Sequence, residues 1–349
     1  MAVPSFSSSP VPVSVPVFCA EGDPMKVLIS QYIAQRHADT ISQTAPDLAL
    51  VPFVPTQPLP EEGQEAEVAF LSDDLIVMLH TAAGLPTTPP WISHLPELPR
   101  LRWVHTCSAG VDDPLFQRLL DRGVLLTNAI GVRRIPIAQT VLLMMLYFVR
   151  ALPRYLAAQR EHRWDPGWGE ELTDKTVGIV GLGHIGQEVA RLAKALGMQV
   201  IATKRRQVDV EWVDQLLPPS QLPHLLSRAD FVVISVALTP ETRGLFGARE
   251  FTLMKPSAYL INVARGAIVQ EAALITALQT GQIAGAYLDV FETEPLPPSS
   301  PLYDLPNVVI TPHCCDASPL NEARDLQLFL ENLSRFRQGE SLLNVVRSL

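Results

Sequence analysis

The stretch "TVGIVGLGHIGQEVARLAKALG", residues 176–197, decides the fold. It opens with five residues of strand character, turns through Gly181, Gly183 and Gly186, and continues as a helix. That helix buries a face of Ile185, Val189, Leu192 and Leu196. The G-x-G-x-x-G spacing is weak on its own, but here it follows a strand and opens a helix, the context it requires. Gly181 allows the tight turn, Gly183 lets the backbone approach a pyrophosphate, and Gly186 lets helix and strand pack closely. The amides at the helix start, around His184 and Ile185, then face the phosphate charge.

Working outward, five more apolar runs follow the same pattern: "MQVIA" (198–202), "DFVVISV" (230–236), "AYLINV" (258–263), "AGAYLDV" (284–290) and "NVVIT" (307–311). Six strands separated by helical segments indicate a doubly wound dinucleotide-binding sheet. Upstream, "KVLIS" (26–30), "LALVPFV" (48–54), "VAFL" (68–71), "LRWVHT" (101–106) and "VLLTN" (124–128) read as a second set of strands. A helix is expected from about Ile135 to Arg150, and a proline-rich surface loop over residues 81–99. The segment 321–340 is amphipathic, with Leu326, Phe329, Leu330, Leu333 and Phe336 on one face. It follows "NVVIT" (307–311), the last strand of the dinucleotide-binding set, and is expected to cross back onto the upstream set.

Bulk composition narrows the function classes. The chain has 349 residues, 47% of them hydrophobic, and a formal net charge of −9, with no Lys/Arg tract. Such a chain does not attract phosphate backbones, so no nucleic-acid partner is expected. The apolar run Val141–Val149 falls short of the roughly 20 residues that a membrane span needs, so no membrane role is expected either. Four cysteines make no disulfide framework in a chain of this length. Residues 1–24 are rich in Pro, Ser and Val and read as a disordered tail; a secretory signal would need a basic start and an unbroken apolar stretch. A cytoplasmic location is the resulting expectation.

Ligands of a doubly wound sheet bind beyond the carboxyl ends of its strands. "YLINV" is followed by Ala264, Arg265 and Gly266. "AYLD" ends in Asp289 and leads to Glu292 and Glu294, and "VVITP" delivers His313. One cation, carboxylates and one imidazole thus emerge at one edge. Cys314 and Cys315 follow His313, but no further Cys or His stands at ligand spacing, so no metal site is expected. An NAD-binding strand normally ends in an acid about 20 residues beyond the glycines. The strand here ends "IATKRR", with Lys204, Arg205 and Arg206 where an acid would repel a 2′-phosphate. NADP(H) is therefore expected in preference to NAD(H).

The ordered motifs "CSAGVDD" (107–113), "GVRRIPIAQTVL" (131–142), "DKTVGIVGLGHIG" (174–186), "LTPETRGLFG" (238–247), "LINVARGAIV" (260–269), "AYLDVFETEPLP" (286–297) and "VVITPH" (308–313) resemble the D-isomer-specific 2-hydroxyacid dehydrogenases, a family that includes glyoxylate/hydroxypyruvate reductases. The resemblance implies an α/β fold of two domains. A flavodoxin-like substrate domain (25–128 and 315–349) would be completed by the C-terminal helix, beside a Rossmann domain (129–314) with the cleft between them. It implies that Arg265 binds and polarises the substrate, that His313 is the acid/base, and that Glu294 pairs with its imidazole. Asp289 would hold the nicotinamide carboxamide, Ala264 would lie against the cofactor, and the amides of Ser108, Ala109, Gly110 and Val111 would hold the substrate carboxylate. It further implies a homodimer joined through the cofactor domain and a small 2-oxo acid such as glyoxylate or hydroxypyruvate. The chain departs from the family pattern at Gln139, at "IATKRR" and at Cys314–Cys315. A dinucleotide-sensing corepressor-like protein, or an enzyme of formate or phosphite, would use the same fold.

Overall fold

The structure is a computed structural model that describes residues 24–54, 57–75, 92–111, 113–206 and 210–347. All of the expected tail except Pro24, and the expected surface loop up to residue 91, lie outside the described residues. The chain divides into two compact units, Met1–Val132 with Pro319–Leu349, and Arg133–Ser318.

The first unit carries β1 (Lys26–Ser30), β2 (Ala49–Phe53), β3 (Val68–Leu71), β4 (Trp103–Thr106) and β5 (Leu125–Asn128). They form one parallel sheet in the order β2-β1-β3-β4-β5, the flavodoxin-like arrangement. The central strands β3 and β4 are buried throughout, as parallel strands covered on both faces must be. The C-terminal helix Leu320–Arg337 does return to this unit. Its Leu326, Phe329, Leu330, Leu333 and Phe336 share a core with Val27, Ile29, Phe70 and Trp103. Phe329 stacks between Phe70, at 4.5 Å between ring centroids, and Trp103, at 5.2 Å. Burying one such ring stabilises the fold by about 1.5–3 kcal/mol, so the helix completes the core.

The second unit carries β6 (Thr176–Val180), β7 (Gln199–Thr203), β8 (Gln215–Leu217), β9 (Phe231–Ile234), β10 (Tyr259–Asn262), β11 (Gly285–Leu288) and β12 (Val308–Ile310). The seven-stranded parallel sheet runs β12-β11-β10-β9-β6-β7-β8. β8 was not among the six expected strands. It is three residues long, lies on the sheet edge and is only partly buried, so it lacks the continuous apolar run that marks its neighbours. Strand order reverses between β6 and β9, and the glycine turn follows β6 at that switch point.

The register fixes which residues share an edge. Asn262 pairs with Leu288, and Leu288 with Ile310. Arg265, Asp289 and His313 therefore follow within three residues of one row of strand ends. Among the described residues no single helix is long and apolar enough to cross a membrane.

Candidate active site

Gly181 has φ +99°, a left-handed conformation that favours glycine, and a β-carbon there would lie 2.6 Å from the Val236 backbone. At Gly186 a β-carbon would lie 2.6 Å from the Gly181 carbonyl oxygen, so the helix can pack on its strand only without a side chain. Gly183 differs: nothing lies within 4 Å of where its β-carbon would stand. It caps the helix His184–Ala195 with no side-chain hydrogen bond, which leaves a bare, open helix start suited to a phosphate. The turn is braced from β7, where Thr203 Oγ1 accepts from the Gly181 amide (3.2 Å), and from Ser235, whose hydroxyl donates to the Gly181 carbonyl (2.8 Å).

Lys204 follows Thr203, half-buried, and Arg205 and Arg206 are exposed. Burial, with the charges of Arg134 and Lys204, holds the His184 imidazole below its usual pKa. That ring is therefore neutral near pH 7, and the cations around the helix start are Arg134 and Lys204.

At the other strand ends, Asn262 is buried and shapes the turn that carries Arg265. Its Oδ1 accepts from the Ala264 amide (3.1 Å) and its Nδ2 donates to the Arg265 carbonyl (3.2 Å). The half-buried Arg265 donates from Nη1 to the Ala264 carbonyl (2.8 Å).

His313 Nδ1 lies 2.7 Å from Glu294 Oε2, and Glu294 Oε1 accepts from the Phe291 amide (3.0 Å). The hydrogen bond and charge of Glu294, reinforced by Asp289, raise the His313 pKa against the effects of burial and Arg265. Burial alone would raise the Glu294 carboxyl; hydrogen bonds from His313 and Phe291, with the charges of His313 and Arg265, lower it instead. The charge of Arg265 thus acts on both members of the pair.

His313 adopts φ +52°, a conformation an L side chain rarely takes, and the loop that enforces it is anchored on Asp289. The Asp289 carbonyl accepts from the His313 amide (2.8 Å). Its buried carboxylate oxygen Oδ1 accepts from the Thr311 hydroxyl and from the amides of Cys314 (2.9 Å) and Cys315 (3.0 Å). Arg133 and Asp316 (2.9 Å), and the Thr140 hydroxyl on the Cys315 carbonyl (2.9 Å), fasten the far side. Burial and the nearby Asp289 and Asp316 carboxylates push both the Cys314 and Cys315 thiols up, away from the reactive thiolate. Among the described residues no group of three or more His, Cys, Asp or Glu could hold a metal ion.

The structure therefore brings Arg265, Asp289, Glu294 and His313 to one sheet edge. Asn262 and Thr311 are not among the expected site residues, although each is a polar residue closing an apolar strand run. In the other unit, the expected loop Ser108–Val111 follows β4. Its Ala109 carbonyl is held by Asn128 Nδ2 (2.9 Å) and the Ser108 amide by Thr106 Oγ1 (3.3 Å).

Comparison with known proteins shows the family. Residues 142–315 match the NAD binding domain of the D-isomer specific 2-hydroxyacid dehydrogenases. The glyoxylate reductase of Korarchaeum cryptofilum is 37% identical over 257 residues, which cover 71% of this chain and 76% of that protein. Among solved structures, a D-isomer specific 2-hydroxyacid dehydrogenase from Xanthobacter autotrophicus Py2, in complex with NADPH and MES, gives a TM-score of 0.77 at 31% identity, covering 93% of this chain and 98% of that one. An NADPH-dependent glyoxylate/hydroxypyruvate reductase from Sinorhizobium meliloti, in complex with NADP and sulfate, gives 0.74 at 28% identity over 93% and 98% of the two chains. The chain belongs to the D-isomer-specific 2-hydroxyacid dehydrogenase family. Members of that family are NAD(P)-dependent oxidoreductases.

Proposed function

We propose that the protein reduces a small 2-oxo acid of the glyoxylate or hydroxypyruvate kind to the D-2-hydroxy acid, with NADPH as reductant and His313 as general acid. The observation that carries this reading is the 2.7 Å contact between His313 and Glu294 on the edge that also bears Arg265. The open helix start at Gly183 fits a dinucleotide pyrophosphate, with Gly181, His184, Ile185 and Gly186 around it. A dinucleotide held by this turn would bring its dihydronicotinamide to the strand ends and would supply a hydride to the substrate carbonyl carbon. Ala264 and Asp289 are assigned to the nicotinamide end, which they would hold.

Negative charge develops on the carbonyl oxygen as hydride arrives, so a proton donor must stand beside it. The imidazolium of His313 donates that proton. Arg265 stabilises the same oxygen, and its planar fork suits the substrate carboxylate. Because Glu294 raises the His313 pKa, the donor stays loaded above the ordinary imidazole range. The sign follows directly: reductive turnover holds at low pH and falls as pH rises through the raised His313 pKa. Oxidation of the hydroxy acid, which needs neutral His313, falls in the opposite direction. The test is to incubate the protein with NADPH and a panel of 2-oxo acids and follow cofactor absorbance, with formate and phosphite run oxidatively. Turnover of formate or phosphite alone overturns the reading.

Preference for NADPH is supported by Lys204, Arg205 and Arg206 at the end of β7 and by the NADPH-dependent Sinorhizobium relative. Replacing all three with serine is expected to lower kcat/KM for NADPH by about tenfold to a hundredfold and leave NADH nearly unchanged, as loss of charge-assisted contacts to a 2′-phosphate requires. Steady-state kinetics with both cofactors check this, and a wild-type preference for NADH defeats it.

A homodimer formed through the cofactor unit is the proposed assembly. Leu143 is 55% exposed on the helix Arg134–Val149, and Trp164 and Trp168, in the loop beyond the next helix, are 93% and 96% exposed. Large apolar groups left in water this way mark a surface that another chain covers. Light scattering is expected to give twice the chain mass, and a Trp164→Ser/Trp168→Ser variant is expected to give one chain mass at the same concentration.

A further inference from the structure

The segment between Asp289 and Glu294 is held by a contact the reaction itself does not require. The helix Glu271–Gln279 begins at Gln270 with no side-chain cap hydrogen bond. Its first amide, Glu271 N–H, instead donates to Glu292 Oε1 (3.0 Å), a carboxylate from the loop that carries Glu294. In return the Glu292 amide donates to Glu271 Oε2 (3.4 Å). A carboxylate at a helix start satisfies an orphan amide and complements the helix dipole. Two glutamates brought together for that purpose also repel. Burial, together with the Glu292 charge, raises the Glu271 pKa, despite the hydrogen bond from the Glu292 amide. A pair that costs repulsion and is kept in place points to a positional role.

The consequence lies two residues on. The same loop is pinned by Phe291, whose carbonyl backs onto Gly266, the residue after Arg265. Phe291 also supplies the amide that holds Glu294 Oε1. The clasp therefore ties the loop bearing Glu294 to the helix that follows the Arg265 turn. We infer that Glu292, through its reciprocal hydrogen bonds with Glu271, is a positioning residue that sets the Glu294 carboxylate against His313. This inference rests on the acid/base reading of the His313–Glu294 pair. The leading charges on His313 are Glu294, Asp289 and Arg265. Glu292 is assigned its effect through Glu294, which its loop carries.

The test compares Glu292→Ala, Glu292→Gln and Glu294→Gln in the full chain. Glu292→Ala is expected to lower kcat for 2-oxo acid reduction about fivefold, as a small misplacement of a catalytic group does, with the KM for NADPH unchanged. It is expected to move the upper pH limb down by about half a unit, because the carboxylate no longer sits fully on the ring. Titration of the His313 ring signal by NMR reads the same shift without turnover. Glu292→Gln keeps an oxygen acceptor for the Glu271 amide and stays near wild type in all three measurements. The inference is overturned if Glu292→Ala leaves the limb and the ring titration at their wild-type positions, whatever happens to kcat, or if Glu292→Gln shifts them as far as Glu292→Ala does. Glu294→Gln separates the two levels. If it also moves neither limb nor ring titration, the acid/base reading itself fails. If it moves both and Glu292→Ala moves neither, only the clasp fails. Should Glu292→Ala not fold, Glu292→Ser removes the same acceptor and is judged by the same outcomes.

Discussion

Replacing His313 with alanine is expected to lower kcat for 2-oxo acid reduction by about 10²- to 10⁴-fold, the contribution of a positioned general acid. Cofactor binding should survive, because the glycine turn after β6 and the cations after β7 lie on other strands of the sheet. The fold should survive too. The His313 side chain is 41% exposed, so truncation opens no core cavity. One complication is local: His313 sits at φ +52°, a left-handed conformation that alanine takes less readily than histidine. Asparagine tolerates that conformation better and carries no proton to donate at neutral pH. The pair of variants therefore separates loss of the acid from loss of loop geometry. Both should be slow, with NADPH affinity, read by fluorescence titration, close to wild type. If His313→Asn retains kcat within about threefold of wild type, His313 is not the proton donor.

Much of this arrangement is legible in the sequence, for a physical reason. Parallel strands covered on both faces must be apolar throughout, so "FVVI" and "VAFL" stand out as runs without any alignment. The C-terminal helix is equally clear, because Leu326, Phe329, Leu330, Leu333 and Phe336 recur at helical spacing and have a core to meet. The polar residues that end these runs announce the site edge, since a strand interior excludes them. What is not legible depends on where separate segments meet. Gln215–Leu217 becomes a strand only because β7 offers an edge, with Ile201 opposite Gln215. Asp289 reads as one more strand-end acid; that its Oδ1 gathers one hydroxyl and two amides of the His313 loop follows from the register of β11 and β12. Glu292 looks like a solvated loop acid until the helix start at Glu271 is placed beside it.

Gly266 is the clearest such case and gives the second large effect. In "VARGAIV" it reads as a spacer after Arg265. In the structure a β-carbon at this position would fall 1.8 Å from the Phe291 carbonyl carbon and 1.9 Å from its oxygen. Both are backbone atoms, so no rotamer change relieves the overlap, and one of the two segments must move. The residue before Gly266 is Arg265, and Phe291 holds Glu294 through its amide. A single added methyl therefore displaces the arginine or the carboxylate that charges His313. Overpacking of this kind costs about 1–3 kcal/mol, and Gly266→Ala should lower Tm by several degrees. Activity should fall further than stability, by about a hundredfold in kcat, since the reacting groups are misplaced by the shift. Gly183→Ala is the contrasting variant. Its β-carbon meets nothing within 4 Å, so Tm should stay at the wild-type value while the methyl obstructs the approach of the pyrophosphate and raises the KM for NADPH. Thermal melts and steady-state kinetics on the two variants separate the roles of the two glycines. Wild-type kcat in Gly266→Ala would mean that the Arg265 turn and the Glu294 loop do not touch, and the common edge assigned to the three residues would fail with it.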